Sequence, residues 1–169
     1  VDLFLKYRAL QFVGSQGFIA DRLTTDALRR ALAFQCKPIV CQLTIPLLFG
    51  EDLTTHQFSL LCVLITDPHF TAQVIHEIFT ELNPALQPPM SQRACEFIKK
   101  ALAKASPIEQ DVVPYIIRHL LSQLERGAPI GGILVLLLSR KIVTPDTPGV
   151  LEAIELLPPL EKMASKKFI

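Results

Sequence analysis

Apolar residues recur at intervals of three and four along almost the whole chain, and this spacing restricts the fold more than any other feature. Such spacing aligns side chains on one face of an α-helix, whereas a strand needs alternation, which is scarce here. Two segments show the pattern most clearly, at Ala94, Phe97, Ile98, Ala101, Leu102 and Ala105 and at Val113, Ile116, Ile117, Leu120, Leu121 and Leu124. The pattern predicts an all-α protein.

Nine helices are predicted, near residues 2–13, 19–34, 37–48, 55–65, 69–82, 90–104, 107–125, 128–141 and 147–167, the last broken at Pro158-Pro159. Short connections make neighbouring helices pack antiparallel. We therefore expect stacked antiparallel helical hairpins, either as degenerate HEAT-like repeats in a short solenoid or as an irregular bundle. No linker divides the chain, so residues 1–169 are expected to form a single helical-repeat domain. Because the first residue is Val1 rather than Met, we expect a processed or excised fragment.

Polar residues mark several of the expected helix starts. Thr54 with Gln57 and Ser106 with Glu109 have the spacing of a capping box, in which two side chains satisfy free backbone N–H groups. Asp67-Pro68 has the form of a cap followed by a proline at the first helical position. All three patterns predict a helix that begins just after the capping residue.

Two prolines lie inside apolar helical segments rather than between them. Pro46 belongs to the predicted helix at 37–48 and Pro114 to the one at 107–125. A proline inside a helix removes one backbone hydrogen bond and clashes with the preceding turn. Each is expected to bend or break its helix.

Charge and hydropathy exclude two classes of partner. Lys and Arg number 17 against 16 Asp and Glu, and the net charge of +1 leaves no large basic footprint for nucleic acid. The longest uncharged stretch runs from Leu53 to Thr66, fourteen residues. A helix that crosses a bilayer needs about 20. We therefore expect no membrane association and no direct nucleic-acid binding.

The four cysteines suggest neither disulfides nor a metal site. They form no CxxC pair, and no second Cys or His pair completes a tetrahedral zinc site; they are Cys36, Cys41, Cys62 and Cys95. Without a secretory context, reduced thiols are the default. We expect the cysteines to be buried as small apolar side chains.

No catalytic signature is complete. His76-Glu77 begins like a zinc-protease helix, but Thr80 stands where the second histidine ligand would be needed. Cys62 with His56 or His69 would need an activated thiol, and the leucines around Cys62 favour burial instead. We therefore predict that the protein is not an enzyme and has no cofactor or metal.

Excess hydrophobicity is the most informative positive signal. Residues 133–138 are apolar on every side of their helix, and residues 38–49 nearly so. The pair Gly131-Gly132 opens the first of these helices and predicts close packing against a neighbour. A helix without a polar face must be covered nearly all round. Two interpretations remain open: a central helix wrapped by its own domain, or a surface covered by a partner or a missing segment.

A family resemblance is carried mainly by the first third of the chain. The run Leu23-Thr24-Thr25-Asp26-Ala27-Leu28 is followed by Cys36-Lys37-Pro38-Ile39-Val40-Cys41 and Ile45-Pro46-Leu47-Leu48. Together with Asp2-Leu3-Phe4-Leu5 and the leucine- and cysteine-rich segment from Thr55 to Leu64, these runs resemble the C-terminal domain of the Fanconi anaemia group E family. Later segments match in order and helix spacing rather than in identity.

The resemblance implies a right-handed stack of antiparallel helical repeats without catalytic activity. The family's domain begins further upstream, so this chain would be a C-terminal fragment that lacks the first helices. The resemblance also implies a nuclear adaptor of the Fanconi core complex, a multisubunit ubiquitin ligase for DNA interstrand crosslink repair. The implied partners are the group C protein, other core-complex subunits, and the group D-two protein as the ubiquitination substrate.

The same resemblance implies a partner contact near the C-terminal helix, around residues 160–168. The residues concerned are Leu160, Met163, Lys167 and Phe168. Other classes of function stay open beside it: a scaffold that associates only with itself, an unrelated HEAT-like scaffold, or an enzyme fragment without a visible catalytic site.

Overall fold

Helices account for all the regular secondary structure in the computed structural model, which describes residues 13, 15, 19, 21–34, 36–50, 53–83, 87–105 and 107–169. No β-strand occurs within these ranges. The prediction of an all-α fold is therefore confirmed. The helix predicted at 2–13 lies outside the described residues except for Val13.

Across the described ranges the chain forms nine helical segments, which we number α1 to α9. They are α1 Arg22–Phe34; α2, made of Cys36–Ile39, a π-helical turn Val40–Thr44 and Ile45–Leu48; α3 Thr55–Thr66; α4 Ala72–Glu81; α5 Gln92–Lys104; α6 Val113–Glu125; α7 Gly131–Ser139; α8 Val150–Leu156; and α9 Pro159–Ser165. A 3-10 turn, Lys166–Phe168, follows α9.

The helices pack in two layers, and each helix contacts the next but one along the chain. α1, α3, α5, α7 and α9 adjoin in that order, and we call them the odd layer. α2, α4, α6 and α8 adjoin in the same way and form the even layer. The chain therefore alternates between layers, as a stack of helical hairpins requires.

Both predicted apolar stripes lie in the core. α5 of the odd layer buries its whole stripe, including Phe97 and Ile98. α6 of the even layer buries its stripe except for Leu121, which is half-buried. A fully buried side chain of this size stabilises the fold by about 1.5–3 kcal/mol. The amphipathic pattern alone thus orients these two helices.

The apolar helix α7 is covered largely by its own domain. It lies between α5 and α9, and it buries Ile133, Leu134, Leu137 and Leu138. A Cβ atom on Gly131 would lie 2.9 Å from Leu157 Cδ2, so the glycine permits the close approach that the sequence predicts. Of the two interpretations of the apolar excess, the helix wrapped by its own domain therefore applies to α7.

Of the predicted helix starts, one is correct. Thr54 Oγ1 accepts a hydrogen bond from the Gln57 backbone N–H at 3.2 Å, and Gln57 Oε1 accepts one from the Thr54 N–H at 2.9 Å, immediately before α3. Ser106 lies outside the described residues, and in the described segment that follows it no helix begins before Val113. Asp67 ends α3 instead of starting α4, because its carboxylate is held by Arg29 and the His69 N–H.

The two prolines that lie inside apolar segments differ in their effect. Pro114 lies in the first turn of α6, where a missing N–H has no intrahelical partner to lose. Pro46 is separated by only Ile45 from the π-helical turn of α2, where the hydrogen-bonding pattern departs from that of an α-helix. The predicted break at Pro158-Pro159 is confirmed, because α8 ends at Leu156 and α9 begins at Pro159.

Candidate protein-binding surface

The four residues predicted to contact a partner lie in α9 and the turn that follows it. Leu160 and Met163 are three residues apart and share one face of α9, with 82% and 67% of their surfaces exposed. Lys167 and Phe168 belong to the 3-10 turn, and Phe168 is 45% exposed. All four side chains therefore reach solvent.

The opposite side of α9 explains this exposure. The Glu161 carboxylate lies against Gly131 at the start of α7, where any side chain larger than hydrogen would collide with it. Ser165 is fully buried and Ala164 half-buried on the same helix. Because this side faces α7, Leu160 and Met163 are turned away from the domain.

Other apolar side chains extend the surface beyond the predicted residues. Leu156 at the end of α8 and Ile169 at the end of the chain are both exposed. Neither residue was predicted from the sequence, although Leu156, Leu160 and Met163 keep helical spacing across the proline break. We call Leu156, Leu160, Met163, Phe168 and Ile169 the terminal apolar surface.

An ion pair ties the two short helices that carry this surface. Lys162 of α9 pairs with the Glu155 carboxylate of α8, and its Nζ also donates to the Glu155 carbonyl oxygen at 3.4 Å. The hydrogen bond from Lys162 lowers the pKa of Glu155 below its ordinary value. The angle between α8 and α9, and with it the arrangement of the exposed apolar residues, is thereby restrained.

Apolar exposure also occurs at the start of the described chain. Leu23 of α1 is 83% exposed, and Phe34 at the end of the same helix is exposed as well. Neither residue was predicted to contact a partner. Leu23 matches Leu160 in residue type and exposure, and it therefore supplies a control for substitutions in α9.

Two of the three histidines considered for catalysis lie beside carboxylates. His76 is half-buried, and its Nε2 lies 3.9 Å from an Asp111 carboxylate oxygen. His69 instead makes a 2.8 Å hydrogen bond to Asp67. Within the described residues no group of three or more His, Cys, Asp or Glu side chains is placed to hold a metal ion.

The prediction of buried cysteines is correct for one of the three whose side chains are described. Cys95 is buried, and burial raises its pKa to about 12. Cys41 and Cys62 are only half-buried. For Cys62 the reason is its place on α3: Leu61 and Leu64 point to the core, while Cys62 faces Lys100 of α5, whose Nζ lies 3.8 Å from its Sγ.

A groove of about 670 Å³ lies between the end of α4 and the side of α6. Charged side chains of both signs line it, among them Glu81, Arg118 and Glu125. None of the residues predicted to bind a partner contributes to it.

Comparison with protein-family models, with curated proteins and with solved structures gives no match. None of the described helices is both long and apolar enough to cross a bilayer.

Proposed function

We propose that this chain is a non-catalytic adaptor of the nuclear Fanconi anaemia core complex, which links the ubiquitin ligase to its group D-two substrate. The group C protein would hold it within the complex. Two things support the proposal: the residues of α1 to α3 that resemble the Fanconi anaemia group E family, and the exposure of the terminal apolar surface.

The exposure of α9 is the observation that carries the proposal. Leu160 and Met163 contribute little to the fold, because most of their surface stays in water. Covering a leucine or phenylalanine side chain completely would stabilise a complex by about 1.5–3 kcal/mol. Aromatic residues and Met are also enriched in the buried centres of protein interfaces. A protein surface that covers α9 would therefore find apolar anchors already held in place.

Calorimetric titration with purified group D-two protein at physiological salt tests the proposal. We expect one-to-one binding with a Kd of about 1 μM or lower, which corresponds to about −8 kcal/mol. Leu160→Ala with Phe168→Ala should weaken binding by about thirtyfold or more, as for interface anchors. The same pair should lower the free energy of unfolding by less than about 0.5 kcal/mol per site, because both side chains are exposed.

Leu23→Ala is the matched control and should leave the affinity unchanged. If Leu23→Ala weakens binding as much as the α9 variant does, the contact surface is not α9. If no heat is detected from a folded sample, the titration is repeated with the group C protein present. Absence of binding in both titrations would contradict the adaptor proposal.

A self-associating scaffold is the second candidate, because exposed leucines occur on both the first and the last described helix. An apolar contact between two unlike ends of a chain generates open or ring-shaped assemblies. Light scattering would then show a mass that rises with protein concentration, and both Leu23→Ala and Leu160→Ala would suppress the rise. A constant monomer mass would exclude this candidate.

A further inference from the structure

Charge is divided unequally between the two layers of helices. The helices of the odd layer carry eight Lys or Arg and three Asp or Glu, a net charge of +5. Those of the even layer carry two Lys or Arg and five Glu, a net charge of −3. The overall balance of the chain conceals this separation, which only the packing of alternate helices produces.

The positive charge of the odd layer is densest on α5, which carries four Lys or Arg and one Glu. Lys99, Lys100 and Lys104 are exposed, and none forms an ion pair with the described residues. Lys104 donates a hydrogen bond to the Asp67 carbonyl oxygen at 3.1 Å. Arg140, just beyond α7, donates one to the Ala103 carbonyl oxygen at 2.5 Å. We call Lys99, Lys100, Lys104 and Arg140 the basic strip.

Both neighbours of α5 in this layer leave these charges unopposed. α3 and α7 contain no Asp, Glu, Lys or Arg at all. Lys100 extends towards α3, where its Nζ lies 5.0 Å from the centre of the Phe58 ring. Lys99 extends the other way, and its Nζ lies 3.3 Å from the position that a Cβ on Gly132 of α7 would take. The lysines thus spread over two uncharged helices.

Apolar side chains border the basic strip on both sides. Phe58 of α3 and Leu136 of α7 are half-buried and pack against the core while part of each reaches solvent. An occupant that combines carboxylates with apolar side chains would match both features. Single-stranded nucleic acid matches less well, because successive bases stack on a series of aromatic rings, and of the two bordering residues only Phe58 is aromatic.

We propose that the basic strip is a docking site for an acidic segment of a partner protein, whose carboxylates pair with Lys99 and Lys100 while its apolar residues cover Phe58 and Leu136. The surface belongs to α5 and its neighbours rather than to α9. The proposal therefore stands or falls independently of group D-two binding.

Fluorescence anisotropy with a labelled peptide of repeated Glu-Glu-Leu, about 15 residues long, tests the site. We expect saturable binding that weakens as salt rises from about 50 to 200 mM, because the contacts are exposed ion pairs. Lys99→Glu with Lys100→Glu should weaken binding about tenfold. The control, Arg22→Glu with Arg30→Glu on α1, changes the net charge equally in the same layer and should weaken it less than about twofold.

Two further probes decide the kind of partner. A peptide of Glu-Glu-Ser should bind more weakly than Glu-Glu-Leu, since it cannot cover the apolar borders of the strip. A single-stranded oligonucleotide of the same net charge should bind more weakly still. Tighter binding of the oligonucleotide would overturn the assignment to a protein segment. An equal loss of peptide affinity in the two charge-reversed variants would overturn the site itself. So would a failure of both peptides to bind.

Discussion

Because of His119, the protein should lose stability as the pH falls from 6.5 towards 4. The His119 side chain is 2% exposed and packs edge-on against Phe49 and Phe79, with ring centres 5.6 and 5.7 Å away. Neither ring nitrogen has a hydrogen-bond partner within the described structure. Burial, with a smaller effect of the Arg126 charge, lowers the pKa of His119 from 6.5 to about 4. The native fold therefore holds the neutral ring.

The size of the effect follows from the difference between the two pKa values. A histidine whose pKa is lower in the folded than in the unfolded chain contributes its full stabilisation when the pH is above the unfolded-state pKa. This stabilisation is lost as the pH falls towards the folded-state pKa. Between pH 6.5 and about 4 the loss amounts to about 3 kcal/mol, at 1.36 kcal/mol per pKa unit. A typical domain is stable by only about 5–15 kcal/mol.

Urea unfolding at a series of pH values measures this loss, and His119→Leu is the variant that should abolish it. The free energy of unfolding of the unsubstituted chain, minus that of the variant, should fall by about 3 kcal/mol between pH 6.5 and 4. The subtraction cancels the contribution that carboxylates make to the pH dependence of both proteins. The exposed His56, replaced by Leu, serves as the control and should leave the profile unchanged. Parallel profiles for the chain and His119→Leu would refute the reasoning.

Four further substitutions are predicted to change stability and are checked by urea unfolding. Gly149→Ala should cost about 2–3 kcal/mol, because the residue has φ +82° and an added Cβ would lie 2.9 Å from a methyl carbon of α6. Gly127→Ala, with φ +77° and open space, should cost only about 1 kcal/mol, and equal losses would contradict the steric argument. Gln123→Leu should cost about 2–3 kcal/mol, because a buried N–H and a carbonyl oxygen before α5 lose their partner. Thr54→Ala should cost about 1 kcal/mol through the lost cap of α3.

Apolar spacing, caps and prolines predicted a helix correctly wherever its structure depends only on residues within that helix. The stripe on α5 needs only one apolar face to be buried, so residues from Ala94 to Leu102 reach the core as their spacing predicts. The Thr54 capping box succeeds for the same reason, since all its atoms lie within one turn. Two prolines in succession end a helix without help from any other segment, and α8 and α9 separate at that point.

Local signals failed where a distant residue competes for the same group. Asp67 has the form of a helix cap, yet its carboxylate is 2.8 Å from Arg29, which lies 38 residues away. Burial raises the pKa of Asp67, but hydrogen bonds from the His69 backbone and from Arg29 hold it at about 2. Similarly, Cys62 lies among leucines in the sequence but faces a neighbouring helix rather than the core. Neither partner can be inferred from adjacent residues.

The candidate surfaces divide in the same way. The sequence by itself determined that the chain is helical and that a separate last helix begins at the proline pair, shortly before Leu160, Met163, Lys167 and Phe168. Helical spacing and proline breaks depend only on adjacent residues. Only the tertiary structure decided that α9 and the turn after it expose these side chains, and that the lysines of α5 lie between two uncharged helices. Exposure and charge separation depend on which helices become neighbours. The packing of alternate helices into two layers decides which helices become neighbours, and no short segment of sequence predicts that packing.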